Sequence, residues 1–219
     1  MSKRDFYLIR NNITVSHETI ERLNIYYDLL LCWQNKMNLV SKHSLKDVEI
    51  RHFSDSAQLY KFCQNIKGNI FDFGSGAGFP GAVLSILGIK NISLVESNSK
   101  KCSFLEKVKN ETESNFKVLN TRIENLSYVS TSLIMSRALT STKNLINLCV
   151  KFMLKSNYYN STEDAIQNLP KLLFLKGKSY LSELDVVPRY HQLNFDVYQS
   201  ITSKEGKILV HEKRLNDCG

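Results

Sequence analysis

The chain has 219 residues, 42% of them hydrophobic and 23% charged, with a formal net charge of +8. That composition supports a packed core and excludes a disordered polyelectrolyte, and no run approaches the ~18 apolar residues of a membrane-spanning helix. The basic balance, with a pI of about 9.2, favours a polyanionic partner such as nucleic acid, although a coding bias toward Lys, Asn and Ile accounts for it equally well.

In chain order, residues 16–37 place Ile20, Leu23, Tyr27, Leu30 and Leu31 at helical spacing behind Ser16 as N-cap, which predicts an amphipathic helix. A second helix is predicted over 44–63, with Ser44 and Asp47 in its first turn and Val48, Phe53, Ala57 and Tyr60 as its apolar positions. These helices make an N-terminal extension, residues 1–66, ahead of a core domain, 67–219. From residue 69 short apolar runs alternate with helical stretches. Strands are predicted at 70–73, 91–95, 116–119, 132–135 and 171–175, and helices at 79–87, 100–108 and 142–154. The polar stretch 156–168 reads as a loop. This alternation is that of an α/β fold with a mostly parallel sheet covered on both faces. The runs at 195–200 and 207–212 have no room for a helix between them, so they form a C-terminal antiparallel hairpin. A sheet of this kind resembles the Rossmann-like class I S-adenosylmethionine-dependent methyltransferase fold rather than the all-parallel dinucleotide-binding domain.

The stretch FDFGSGAGFPG ends a buried strand in Gly74, Gly76 and Gly78 and leads straight into a helix. Such a turn lets a ligand approach bare backbone. The spacing is G-x-G-x-G, one residue tighter than the G-x-G-x-x-G dinucleotide turn, and no Lys-Ser/Thr follows to make a P-loop. Asp72 lies two residues before the first glycine, where a carboxylate repels a phosphate but suits a cationic amino group. Glu96 ends the next strand, where a carboxylate accepts both hydroxyls of a ribose. The two acids and the spacing favour S-adenosylmethionine over a dinucleotide. The alternative is a turn that serves only tight strand–helix packing.

These stretches, with others in the same order, resemble the bacterial 16S ribosomal RNA guanine-N7 methyltransferases of the RsmG type, also called the glucose-inhibited division protein B family. The resemblance runs from about Leu29 to the end and rests on LLLCWQNKMNLVS, RHFSDS, FDFGSGAGFPG, LVESNSKKCSFL, the triplet Arg122-Ile123-Glu124, SRALTS and LKG. It implies S-adenosylmethionine as cofactor, contacted by Gly74 and Phe79 from the turn, Glu96 at the ribose, Ile123 and Glu124 near the adenine, and Arg137. It implies 16S rRNA of the small ribosomal subunit as partner, with guanine 527 of the 530 loop as target. Ala77, Gln34 and Glu96 depart from the family's commonest residues without removing a functional group.

Guanine N7 carries an exposed lone pair, so its methylation needs alignment and exclusion of water rather than a general base. Accordingly the chain has neither an N/D-P-P-Y/F motif nor a Pro-Cys nucleophile, and its five histidines lack metal-ligand spacing, so no metal is expected. Arg137, His52 and Arg51 are the candidate catalytic residues. Arg137 follows a strand at the carboxyl edge of the sheet, where it can meet the methionine carboxylate, an rRNA phosphate or guanine O6. Arg51 and His52 read equally well as a helix surface that packs on the sheet. Asp55 stands at i, i+4 from Arg51 and can pair with it, and Trp33 reads as core. The basic candidates for RNA are Lys100, Lys101, Lys176, Lys178, Arg189, Lys213 and Arg214. Five cysteines standing singly, without CxxC or an export signal, point to reduced thiols in the cytoplasm, and a monomer is expected. The competing readings are a methyltransferase on another substrate, which would not need RHFSDS or SRALTS, and a nicotinamide-dependent oxidoreductase, against which the turn spacing and the hairpin argue.

Overall fold

The computed structural model describes residues 13–185 and 193–212. Helix α1 (His17–Gln34) starts where the Ser16 hydroxyl accepts the Thr19 N–H at 3.2 Å. Its buried residues are Leu23, Tyr26 and Leu30, with Ile20 and Tyr27 partly buried against the same core. The Gln34 side chain then fixes the following loop. Its carbonyl accepts the N–H groups of Leu39 and Val40, and its amide donates to the Val40 carbonyl, all at 3.0 Å.

The second predicted helix is broken. It becomes α2 (Lys42–Leu45), a π-helical turn (Glu49–Ser54), α3 (Asp55–Ala57) and α4 (Tyr60–Cys63). The reason lies in burial: His52, Phe53 and Ser54 are buried consecutively, as are residues 56–59. Burial at successive positions departs from a single amphipathic stripe, and π turns recur at functional sites.

Seven strands of the described residues form one sheet: β1 (Asn69–Phe73), β2 (Ile92–Glu96), β3 (Lys117–Asn120), β4 (Thr131–Arg137), β5 (Lys171–Lys176), β6 (Asp196–Gln199) and β7 (Lys207–His211). Their order is β3-β2-β1-β4-β5-β7-β6, parallel throughout β1–β5, with β7 antiparallel to both β5 and β6. The predicted mostly parallel sheet closed by an antiparallel hairpin is therefore the fold. Helix α5 (Gly81–Ile86) follows the glycine turn, α6 (Ser99–Glu111) follows β2, and α7 (Thr142–Met153) follows β4. Inside the predicted 156–168 loop lies α8 (Thr162–Gln167), capped by Ser161 and seated by Ala165 and Ile166; two buried apolar residues are too few to show a period. A short α9 (Tyr180–Asp185) follows β5.

Strand alternation sorts side chains onto two cores. Ile70, Leu133, Met135, Leu173 and Leu175 pack with α1, α5 and α6; Phe71, Phe73, Ile134, Phe174 and Leu209 pack with α7 and α8. The same period carries Asp72 and Arg137 to the α1/α5 face and Lys176 to the α7 face. Tyr26 fastens α1 to the glycine turn: its hydroxyl donates to the Ala77 carbonyl and its ring stacks on Phe79 at 5.3 Å. Gly78 sits beneath this contact at φ +97°, where an added Cβ would stand 2.7 Å from Tyr26 Oη and 2.9 Å from Leu105. Gly78→Ala combines a disfavoured backbone with overpacking and should lower stability by about 2–4 kcal/mol in urea unfolding. The penalty should shrink in a Tyr26→Phe background, where the clashing oxygen is gone.

Candidate active site

The chain runs outward from β1 through β2 to β3, then returns to the other side of β1 as β4. The carboxyl ends of β1 and β4 therefore flank a topological switch point, where open α/β sheets bind ligands. The Ser136 hydroxyl donates to the Phe73 carbonyl at 2.8 Å and ties these two ends together. Above them opens a cavity of about 750 Å³. Gly74 and Gly76, both at positive φ, line it together with Phe79 and Glu96. The Glu96 carboxylate bridges the elements: Oε2 accepts the Gly76 N–H at 3.0 Å and Oε1 the Asn98 N–H at 2.8 Å. Ile123 and Glu124 reach the cavity from a 3₁₀ turn (Ile123–Asn125), held by Lys155 Nζ, which donates to the carbonyls of Glu124 and Leu126. Leu39 and Val40 line it from the loop that Gln34 fixes, and Asn144 and Lys151 from α7.

At the end of β4 the Arg137 guanidinium is largely enclosed. Nη1 donates to the Arg51 carbonyl at 2.9 Å, Nη2 meets His52 Nδ1 at 2.6 Å, Asp55 Oδ2 stands 3.6 Å from Nη1, and the group lies over the Phe79 ring at 5.1 Å. Because Nδ1 accepts from arginine, the His52 proton sits on Nε2. That N–H is buried and has no hydrogen-bond partner. Burial, then the Arg137 and Arg51 charges, lower the His52 pKa to about 3, so the ring is neutral. Ala138, next in sequence, has φ +52°, a conformation that costs a residue with a Cβ about 1 kcal/mol or more. Arg137, His52 and Ala138 also line a second cavity, of about 360 Å³, so they form a wall common to both.

The structure thus gathers Arg137, His52, Gly74, Gly76, Phe79, Glu96, Ile123 and Glu124 around one space. Arg51 joins them through its carbonyl and lines the second cavity. Asp72 and Gly78 are placed elsewhere. Asp72 is wholly buried on the α5 face, with Oδ2 accepting the Gly81 N–H at 2.9 Å and Oδ1 unpartnered. Burial, opposed by the Gly81 bond and the Arg137 charge, pushes its pKa up to about 7. It anchors the start of α5 and is not among the residues that line the cavity. Gly78 serves packing against Tyr26.

Lys176 lines the second cavity with its ammonium tied to the protein. Its ammonium donates to the Thr140 carbonyl at 2.6 Å and pairs with Glu183 at 2.9 Å. Burial by itself would raise the Glu183 carboxyl, but hydrogen bonds from Lys176, Thr142 and Ser179 hold it at about 2. Lys100 and Lys178 are exposed, and Lys101 lines the first cavity. Arg189, Lys213 and Arg214 lie outside the described residues. Asp55 pairs with Arg137 rather than with Arg51, and Trp33 packs on Phe104 at 5.6 Å as a partly buried core residue. Asn144, Lys151 and Lys155 were not singled out from sequence.

Among the described residues no helix is long and apolar enough to cross a membrane. Solved structures share the fold at low identity. Magnesium protoporphyrin IX methyltransferase from Synechocystis, with bound S-adenosylmethionine, matches 90% of this chain and 97% of its own at TM-score 0.58 and 11% identity. Ribosomal protein L11 methylase from Lactobacillus delbrueckii matches 78% of this chain and 79% of its own at TM-score 0.55 and 12% identity. In sequence, "Ribosomal RNA small subunit methyltransferase G" of Rickettsia akari is 37% identical over 195 residues, covering 89% of this chain and 94% of that protein. The protein of the same description from Orientia tsutsugamushi is 35% identical over 209 residues, covering 95% and 98%. The family model described as rRNA small subunit methyltransferase G matches residues 19–212, and the chain belongs to that family.

Proposed function

We propose that this chain transfers a methyl group from S-adenosylmethionine to N7 of a guanine in 16S rRNA, guanine 527 of the 530 loop on the resemblance of its motifs. The observation that carries the reading is the common wall: Arg137 and His52 stand between a cavity of about 750 Å³ built on the glycine turn and a second, smaller one. S-adenosylmethionine, when bound, supplies an electrophilic methyl group on a sulfonium.

The residues present fit that cofactor. Each Glu96 oxygen accepts one backbone N–H, leaving lone pairs for ribose hydroxyls. Ile123 offers an apolar contact to an adenine, and the Gly74 and Gly76 backbone carries no Cβ to obstruct the amino-acid portion. Asn144 and Lys151 add polar groups on the far side. Charge is the second point of fit. The donor is cationic and N7-methylguanine is cationic, so an additional positive group beside the transfer path would oppose both. His52 is held neutral, and Asp55 offsets Arg137. The Arg137 guanidinium, with donors beyond those given to Arg51 and His52, is the donor for guanine O6, which fixes the adjacent N7. Lys100, Lys101 and Lys178 are placed to meet rRNA phosphates.

Incubation with labelled S-adenosylmethionine and small subunits or bare 16S rRNA lacking the modification should yield 7-methylguanosine, mapped by borohydride–aniline cleavage. Label elsewhere in the RNA, or none, contradicts the proposal. Arg137→Ala should lower kcat/KM at least ~100-fold, as loss of a preorganised donor does. Affinity for rRNA should fall steeply with salt, and Lys100→Ala, Lys101→Ala and Lys178→Ala should each flatten the slope of log K against log salt by about 1. Lys176→Ala should leave that slope unchanged and lower thermal stability instead.

Because the folded-state pKa of His52 lies below its ordinary 6.5, its contribution to stability is complete above pH 6.5 and is lost as pH falls toward about 3. Asp72, raised toward about 7, works in the opposite sense across much of that window. The difference between wild type and His52→Gln is therefore the informative quantity. Wild type should lose stability relative to the variant by up to about 1.4 kcal/mol per pH unit between pH 6 and 4, measured by urea unfolding.

A further inference from the structure

We propose that the second cavity receives the acceptor guanine and that Glu205 recognises its N1–H and N2–H₂ edge; this rests on the methyl-transfer reading above. The cavity, about 360 Å³, is of a size to enclose one base drawn out of its stack. It shares Arg137, His52 and Ala138 with the cofactor cavity, so a base within it can present one edge to the site of transfer. Its remaining walls come largely from the end of β5 and from the turn between β6 and β7.

In guanine, N7 and O6 lie on one side of the fused rings, and N1–H and N2–H₂ lie away from N7. A base with N7 at the common wall therefore offers two parallel donors to the rest of the pocket. A carboxylate matches them with two oxygens. Two carboxylates line this cavity, Asp55 and Glu205. Asp55 is occupied: it pairs with Arg137, and its Oδ1 accepts from Gln58 Nε2 at 2.7 Å and from Thr202 Oγ1 at 2.5 Å. Glu205 is exposed and makes no hydrogen bond or ion pair among the described residues. Adenine would turn an unprotonated N1 toward that carboxylate and be rejected.

The turn that carries Glu205 is also fixed to the catalytic wall. Gln58 donates to Ser200 Oγ at 3.1 Å and accepts the Ile201 N–H at 3.0 Å, and Asp55 holds Thr202. Asp55 and Gln58 directly follow the π turn that carries His52, so reader and wall belong to one connected unit.

The test compares methyl transfer to 16S rRNA, bare and reconstituted into small subunits, carrying guanine or inosine at the target position. Inosine keeps N7, O6 and N1–H and lacks only the 2-amino group. Wild type should prefer guanine by about 5- to 150-fold in kcat/KM, the discrimination of a good base-edge contact. Glu205→Ala should slow guanine, which loses two contacts, more than inosine, which loses only the N1–H contact, bringing the two rates within about twofold of each other, and should leave S-adenosylmethionine affinity by calorimetry unchanged. Equal wild-type rates on the two bases would overturn the inference without any variant. So would a Glu205→Ala protein that keeps the preference, or one that slows both substrates equally, as a structural role would. Each of these leaves guanine N7 methylation standing. Failure of the wild type to methylate guanine N7 at all overturns both proposals, and the calorimetry then shows whether the cofactor still binds.

Discussion

A guanidinium at the end of a central strand sets the terms for much of this molecule. Arg137 is taken largely out of water, and a charge so placed must find hydrogen bonds and a counter-charge within the protein. The partners that supply them, the Arg51 carbonyl, the His52 ring and the Asp55 carboxylate, all come from the helical segment that precedes the sheet. That segment is thus part of the site and not a cover laid over it. The π turn meets the same demand: it carries His52 and Phe53, both buried, and the Arg51 carbonyl that accepts from the guanidinium. Tyr26 and Phe79 complete the packing, one ring against α1's neighbours and one under the guanidinium.

Around this charge the neighbouring groups settle into a pattern that suits cationic chemistry. The histidine is denied its proton by burial beside arginine, while the aspartate beneath the glycine turn is drawn toward its neutral form by burial and restrained by the same arginine. One positive charge remains at the wall, and Asp55 faces it. Burial first, and after it the cation that already stands beside the ring, keep His52 neutral.

Much of the scaffold was legible because it is periodic. Strand runs alternate with helical runs, the glycine turn follows a buried strand, and Ser16 announces α1. Side-chain direction was also legible, though only once the alternation is counted. Asp72 shares a face with Ile70, and Arg137 with Leu133 and Met135, which places both under the N-terminal helices; Lys176 falls out of phase with Leu173 and Leu175 and so faces α7. What no local pattern encodes are contacts between distant parts of the chain. Gln58 with Ser200 and Asp55 with Thr202 join residues more than 140 positions apart through single polar atoms, and Asp55 pairs with Arg137 rather than with Arg51, its i, i+4 neighbour. Such pairings follow from the packed fold and leave no periodic trace.

The order of strands carries a consequence for synthesis. In the sheet β7 lies between β5 and β6, although β6 is made first. When β6 emerges it has no neighbour to pair with, and the turn carrying Glu205 cannot settle against Asp55 and Gln58 until β7 has threaded into the gap. The wall begun at residue 52 is finished by residues 200–211, so the complete site does not exist until translation has passed that point and the strand has cleared the exit tunnel.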